Sequence, residues 1–545
     1  MQNIMFDVIG IYLRKIKKSI ILFVVIAIVS SIINIYSSYY NGIFIDLLSK
    51  SKKIESIYYF ALFYLSCLMT DVIVKKLYIT YRSKIQEKLI YDVYISYIDY
   101  LEKVKIEEFE IYNPTYLNQR INTDISSICK FFFNSYLNIF IDIIKIIVVL
   151  IIMALINLKI ALITFPVMFI YGAVFLIYIN PVRKKNYKLK EDNAFYYQVC
   201  NEQLELYKEI RINSSYKSSI NRINDYFEKY FKSFIDFVKV SVNCTTALGS
   251  VSAFFQIILI IISGIDIIYG RMTIGQLIII NIYYSMLLSS INSICSTMQN
   301  YQETKNSIYR MKQLKGLDME NMGNIIIENI SNIIIKDINF YYNNNLQKDN
   351  LKNISIEFEK GKIYIISGHN GAGKTTFINI LLHLYSFNLE GEILINNTNI
   401  LDINTALLRE KAFAVCLQNE KYPDINVKDY LLENTNRNIN DVYNFIYNNN
   451  LEEVYINNKF NLKEYLARSI LSLSGGEKQK ISFLRSIIKD ASVIILDEIN
   501  SNLDTNSIKK IYEYLERIKI NKIIIIISHD EYIINKADSI ISFNR

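Results

Sequence analysis

The chain has 545 residues, room for about three or four average soluble domains, and is 51% hydrophobic with a mean hydropathy of +0.18 and no tryptophan. Its net charge of +8 is spread over loops and gathers on no single basic face, which speaks against a nucleic-acid footprint and for cytoplasmic loops beside anionic lipid. Cys67, Cys129, Cys200, Cys244, Cys295 and Cys416 lie far apart with no C-x-x-C, so neither a disulfide framework nor a zinc site is indicated.

Arg14, Lys15, Lys17 and Lys18 precede an apolar run over 20–40 that is too long for a signal peptide and is followed by no small-residue cleavage site. It reads as a first membrane helix. Five more stretches of spanning length follow, at 57–77, 136–155, 160–179, 248–269 and 274–298. Short links join the first and second, third and fourth, and fifth and sixth; long ones, 78–135 and 180–247, join the rest. The basic N-terminus and Arg183-Lys184-Lys185 fall on the long-link side, which the positive-inside rule assigns to the cytoplasm, although Lys50, Lys52 and Lys53 fall on the other. The long links are charged and helical in pattern. Folded as hairpins with arms of about 29 residues, they would reach about 40 Å below the membrane, at 1.5 Å per residue.

Asp71, Asp142, Lys145 and Asp266 lie within spans, where ionisable residues carry a functional hypothesis by default. Asp142 and Lys145, three apart on one helix face, read equally as a self-satisfied or snorkelling pair. Asp266, near an outer end, reads as facing water. None is assigned to a substrate site.

Hydrophobic spans stop at Met298. A helix over 301–317 is expected to lead into a linker, with domains at 1–312 and 331–545 and the linker at 313–330. β-like runs then appear at 333–335, 338–342, 354–358, 363–366, 393–395, 412–417, 493–496 and 523–527, alternating with helical segments as in an α/β nucleotide-binding core. The fold class expected is a multi-domain membrane protein: an all-α six-helix membrane domain with long cytoplasmic extensions, then an α/β P-loop domain.

Gly368-His369-Asn370-Gly371-Ala372-Gly373-Lys374-Thr375-Thr376 is a P-loop between a strand and a helix. Its glycines let backbone N–H groups approach a polyphosphate, the helix N-terminus adds a positive dipole end, Lys374 can reach β- and γ-phosphates, and Thr375 can ligate Mg²⁺. Asp497 and Glu498 end a buried strand, where the first suits Mg²⁺ and the second can polarise an attacking water. Ser474-Gly475-Gly476-Glu477 offers a second anion-binding arrangement before a helix. Gln418 follows a β-like run, His529 closes another, and Tyr342, 32 residues before Lys374, could stack on a base. His383 reads as a packed or surface helix residue.

With Leu473–Glu477 lying between the P-loop and Asp497-Glu498, the chain resembles ATP-binding cassette (ABC) transporters over almost its whole length, in the form of an exporter half-transporter. The resemblance implies ATP and Mg²⁺ as cofactors. It makes Tyr342 the adenine-stacking aromatic, Gly368–Thr376 the Walker A motif, Gln418 the Q-loop, Ser474–Glu477 part of the signature, Asp497 Walker B and Glu498 the catalytic carboxylate. Ser501–Asp504 would be the D-loop and His529 the switch histidine. Thr375, Gln418 and Asp497 would serve Mg²⁺. Tyr116–Asp124 and Met272–Gln276 resemble, respectively, a stretch of the first cytoplasmic loop and the start of the sixth span. Departures are Ile499-Asn500 after Walker B, Asn502 in the D-loop, and the absence of a Glu-Gly pair before the signature, where Arg468 and Leu471 lie.

The resemblance also implies a second half-transporter as partner, because the signature of one cassette closes over ATP on the other. A homodimer is expected, with a heterodimer with a degenerate partner as the alternative. The other partners expected are membrane lipid and a transported substrate. Tyr116–Asp124 and Met272–Gln276 look like small bacterial exporters of bacteriocins and other modified peptides, and with 19 residues before the first span no fused leader peptidase is expected. Lipid or drug efflux, siderophore-type uptake, and an ATPase-regulated channel or sensor stay open.

Overall fold

A computed structural model describes the chain apart from residues 1, 51–53, 111, 113, 321, 342–350, 370, 419, 434, 436, 457–460, 499–502 and 544–545. It divides into two compact units, residues 1–102 with 113–316, and residues 103–112 with 317–545.

The first unit is all helical: α1 (Gln2–Lys15), α2 (Lys17–Lys50), α3 (Ile54–Leu101), then, past α4 (Ile106–Glu110) of the second unit, α5 (Pro114–Phe131), α6 (Leu137–Ile156), α7 (Leu158–Glu205), α8 (Tyr207–Ile212), α9 (Tyr216–Ile268) and α10 (Ile274–Lys315). Among the described residues, six helices are long and apolar enough to cross a membrane. Spans and cytoplasmic arms are continuous: α9, with 53 residues, is about 80 Å long. The helix expected over 301–317 is the unbroken continuation of the sixth span, and a π-helical turn at Phe132–Tyr136 joins α5 to α6. The most apolar window is half buried in the sixth span but only 6% buried in the second. The other apolar faces are thus left to lipid or another chain.

Polar groups fix the outer ends. The Asp46 carboxylate accepts from Thr273 Oγ1 at 2.5 Å and Gly275 N at 2.8 Å, and a Cβ on Gly275 would stand 2.0 Å from Gly42 O. That contact between α2 and α10 requires glycine. Asp266 does not face water: it is buried and accepts from the Asn157 side chain at 2.7 Å, because Asn157, which caps α7, stands opposite it. On the cytoplasmic extensions, Arg310 of α10 makes a two-pronged contact with buried Asp124 of α5.

The second unit holds two sheets. Strands β1 (Asn332–Phe340), β2 (Leu351–Glu359), β4 (Leu389–Ile395) and β5 (Thr398–Asn399) form an antiparallel sheet ordered β2-β1-β4-β5. The run expected at 333–335 and the described start of the one expected at 338–342 join in one strand, β1, which ends at Phe340 and is interrupted by a bulge with Asp337 at φ +53°. Strands β3 (Ile363–Gly368), β6 (Phe413–Cys416), β7 (Val493–Asp497), β8 (Ile523–Ile527) and β9 (Ser539–Phe543) form a parallel sheet ordered β6-β7-β8-β3-β9. Its strands are apolar without alternation because both faces are covered: Ile363, Ile365, Ile494, Leu496, Ile524 and Ile526 pack into one core, while Tyr364, Ile366, Val493, Ile495 and Ile525 pack into the other. Residues 103–112, expected within the first hairpin, belong to this unit. Ile106 packs on its core, Glu107 Oε1 accepts from Ser386 N at 2.7 Å, and Glu110 accepts from the Tyr385 hydroxyl at 3.0 Å.

Candidate functional site

The chemistry gathers where β3, β6, β7 and β8 end. After β3 the chain turns through Gly373, which takes φ +93° as the cap of α11 (Lys374–Leu381), a conformation that a side chain would strain. Lys374 is buried, donates to Gly368 O at 2.5 Å, and stands 2.8 Å from His529 Nε2. An ammonium has no acceptor site, so His529 presents a lone pair at Nε2 and carries its proton on Nδ1.

Asp497 ends β7, buried, and hydrogen-bonds the Thr375 side chain. Burial, reinforced by the adjacent Glu498 carboxylate, pushes its carboxyl up to about 6 against the opposing pull of Lys374 and Thr375. Glu498 adopts φ +51°, a strained conformation for a residue with a Cβ, while its N–H donates to Ile527 O at 3.0 Å. The Gln418 side-chain amide donates to the Glu498 carboxylate. Lys374, Thr375, Gln418, Asp497, Glu498 and His529 therefore form one constellation, assembled from four strand ends.

After α12 (Val427–Leu432), Ser474, Gly475, Gly476 and Glu477 sit at the start of α13 (Gly475–Ile488). Ser474 and Glu477 form a reciprocal capping box, and the Tyr465 hydroxyl donates to Glu477 at 2.8 Å. Although burial opposes it, those hydrogen bonds hold the Glu477 carboxyl below its ordinary value. Asp504 caps α14 (Thr505–Ile518) through Ser507 and pairs with Lys480 of α13 at 3.2 Å, which joins the start of α14 to α13. Against desolvation, Ser507 and Lys480 bring Asp504 down to about 2. His369, Gly371, Ala372 and Thr376 lie in the loop and first turn around Lys374. Tyr342, Asn370, Ser501 and Asn502 lie outside the described residues.

Sequence reasoning missed Glu420. Its carboxylate accepts from the Tyr430 hydroxyl at 2.6 Å and from Ser482, tying the segment after Gln418 to α12 and α13. Its position two residues beyond Gln418 was the available signal. It also missed Glu320, which makes paired contacts with Arg409 at 2.6 and 2.7 Å. His383 is buried just past α11 at φ +52° with neither ring nitrogen hydrogen-bonded.

The first unit contains its own candidate site. A cavity of about 590 Å³ is lined by α2, α6 and α10, including Tyr36, Tyr39, Lys145, Leu155 and Gln276. A smaller one of about 80 Å³ shares Ser31, Ile35 and Lys145 with it and adds Asn34, Asp142, Ser289 and Ser290.

Comparison with known proteins matches residues 20–291 to the ABC transporter transmembrane region and 351–501 to the ABC transporter family. The chain is 24% identical over 567 residues to a Rickettsia typhi protein named "Putative export ATP-binding/permease protein", across 98% of this chain and 93% of that one. It is 22% identical to the "Transport/processing ATP-binding protein ComA" of Streptococcus pneumoniae, across 84% of this chain and 64% of that one. The solved structure of a bacterial Atm1-family ABC exporter with ATP bound superposes with a TM-score of 0.78 at 17% identity, covering 98% of this chain and 94% of that one.

Proposed function

The chain belongs to the ABC transporter family, as a half-transporter of the exporter type, and on that premise we propose that it acts as a homodimer whose two ATP sites each combine residues of both copies. It is a multi-pass membrane protein with its nucleotide-binding domain in the cytoplasm, and it couples ATP hydrolysis to transport. The observation that carries the site assignment is the convergence of Lys374, Thr375, Gln418, Asp497, Glu498 and His529 at neighbouring strand ends.

The glycine loop and the start of α11 suit a polyphosphate, and Lys374 would exchange Gly368 O and His529 for phosphate oxygens. Thr375, Gln418 and Asp497 fit Mg²⁺: they supply oxygen ligands around buried Asp497, whose carboxyl is pushed up to about 6 by desolvation and then by the neighbouring Glu498, a site where a bound cation relieves the cost of the charge. When bound, the ion would offset the negative charge of the phosphates. Glu498 would take the proton of the attacking water, with Gln418 holding its carboxylate in place. His529 would steady the Lys374 ammonium before nucleotide arrives. Ser474 and Gly476 of the opposite copy would complete the site.

For the substrate, the wording of Tyr116–Asp124 and Met272–Gln276 and a relative named for transport and processing support a peptide. The apolar chamber between α2, α6 and α10 favours a second reading, a lipid-like amphiphile.

Mixing two inactive variants tests the shared-site dimer. Lys374→Ala and Ser474→Arg chains should each fail to hydrolyse ATP, and co-reconstitution should restore turnover because the mixed dimer keeps one intact site. A mixture as inactive as its parts contradicts the proposal.

A further inference from the structure

Asp142 and Lys145 stand where the two cavities of the first unit meet. Lys145 lines both and Asp142 lines the smaller, with Asp142 Oδ1 3.8 Å from Lys145 Nζ, beyond hydrogen-bond range. The Asp142 side chain is 9% exposed and that of Lys145 36%. Two charges held this loosely inside a membrane span are costly unless a partner of matching charge completes them.

The smaller cavity supplies further acceptors. The Ser31 and Ser289 hydroxyls donate to the backbone of their own helices, at Ala27 O and Met286 O, which leaves their oxygen lone pairs for the alcove. A cationic group placed there meets the Asp142 carboxylate and these oxygens. An anionic group beside it meets Lys145. A ligand with only one charge leaves the other member of the pair uncompensated, so the alcove selects a head carrying both signs.

The larger chamber sets the rest of the ligand. Along α6 its lining runs from Ile141 to Ile156, about 22 Å at 1.5 Å per residue, with about 16 Å of that beyond Lys145, and its walls are mostly isoleucine, leucine and valine with Tyr36, Tyr39, Tyr283 and Gln276. A peptide backbone laid there would bury amides with few partners, whereas a hydrocarbon chain needs none. We propose that the alcove around Asp142 and Lys145 binds the zwitterionic head of a single-chain, lipid-like amphiphile, whose apolar tail fills the adjoining chamber. The proposal rests on the export reading and takes the second of its two substrate readings, the lipid-like amphiphile, over the peptide.

The absence of tryptophan provides the assay, because Tyr36→Trp places a single indole on the chamber wall. In nanodiscs of phosphatidylglycerol, which supplies no zwitterion, lysophosphatidylethanolamine should saturably change that fluorescence. Its N-acetylated, purely anionic derivative and a fatty amine of equal chain length should each bind at least tenfold more weakly. Asp142→Asn should abolish the advantage over the N-acetylated lipid, and Lys145→Met the advantage over the amine. The exchanged pair, Asp142→Lys with Lys145→Asp, keeps both charges in the membrane and should retain the preference for the zwitterion, which guards against misfolding of the single variants. Equal binding of all three lipids, a preference that survives both neutral variants, or stronger binding of a tetraleucine peptide overturns the proposal. ATP-driven movement of labelled lysophosphatidylethanolamine into inside-out vesicles is scored separately: binding without movement upholds the site and refutes export.

Discussion

His529 Nε2 lies 2.8 Å from Lys374 Nζ, joining the ends of two adjacent parallel strands, β8 and β3, across 155 residues of sequence. The contact requires a neutral imidazole accepting from the ammonium. His529→Ala should lower ATP turnover by roughly 100-fold or more, the scale of losing one positioned polar group, while nucleotide affinity stays within a few-fold. Turnover assays beside equilibrium binding of a fluorescent nucleotide check this, and an affinity loss matching the turnover loss would make His529 a binding residue.

Glu498 is strained at φ +51° and also raises the neighbouring Asp497. Glu498→Gln should stop turnover and remove the repulsion, so that Asp497 titrates below about 6. Asp497 competes for a proton or a cation, so affinity for the nucleotide–Mg²⁺ complex should weaken as pH falls through about 6 in the wild type, approaching tenfold per unit once phosphate titration is subtracted. In Glu498→Gln that fall should begin at lower pH. Titrations at several pH values, with and without Mg²⁺, measure both midpoints.

His383 is shifted the opposite way from Asp497. Burial lowers its proton affinity, Glu320 and Glu107 counter that, and Arg409 adds to it. With the folded-state value depressed, the unfolded chain binds more protons, so this stabilising contribution is present at neutral pH and is lost as pH drops below about 6.5. His383→Asn tolerates φ +52° and cannot titrate there, so it should flatten the acid side of the stability profile. Thermal unfolding of the full chain between pH 5 and 8, values chosen to bracket the ordinary histidine range, checks it.

Gly275→Ala should destabilise the first unit by about 2–4 kcal/mol, since its Cβ would collide with Gly42 O and the Asp46 carboxyl that caps α10. Comparing its unfolding with Gly264→Ala, where nothing lies within 4 Å of the new Cβ, separates collision from helix propensity.

The six spans and the strand-end residues that converge around Lys374 were legible in the sequence because each rests on local signals. Apolar length defines a span, and Gly368–Thr376, Asp497-Glu498 and His529 each sit at the end of an apolar strand whose pattern is visible alone. Pairings across long separations were not. Asp46 meets Thr273 across 227 residues, and Arg310 meets Asp124 across 186. Asp266, at a helix end, reads as solvated from sequence, and its partner Asn157 lies 109 residues away. Residues 103–112 join the second unit through Glu107 and Glu110, carboxylates that any cytoplasmic loop could carry. The β1 bulge split one strand into two runs because Asp337 breaks the apolar alternation.

The central claim, ATP-driven export by this chain, is tested most directly by comparing culture medium and cell extracts by mass spectrometry for cells expressing the wild type or Glu498→Gln. At least one compound should be found outside with the wild type and retained inside with the variant. Identical profiles in both compartments, from cells in which both proteins are folded in the membrane, would contradict it.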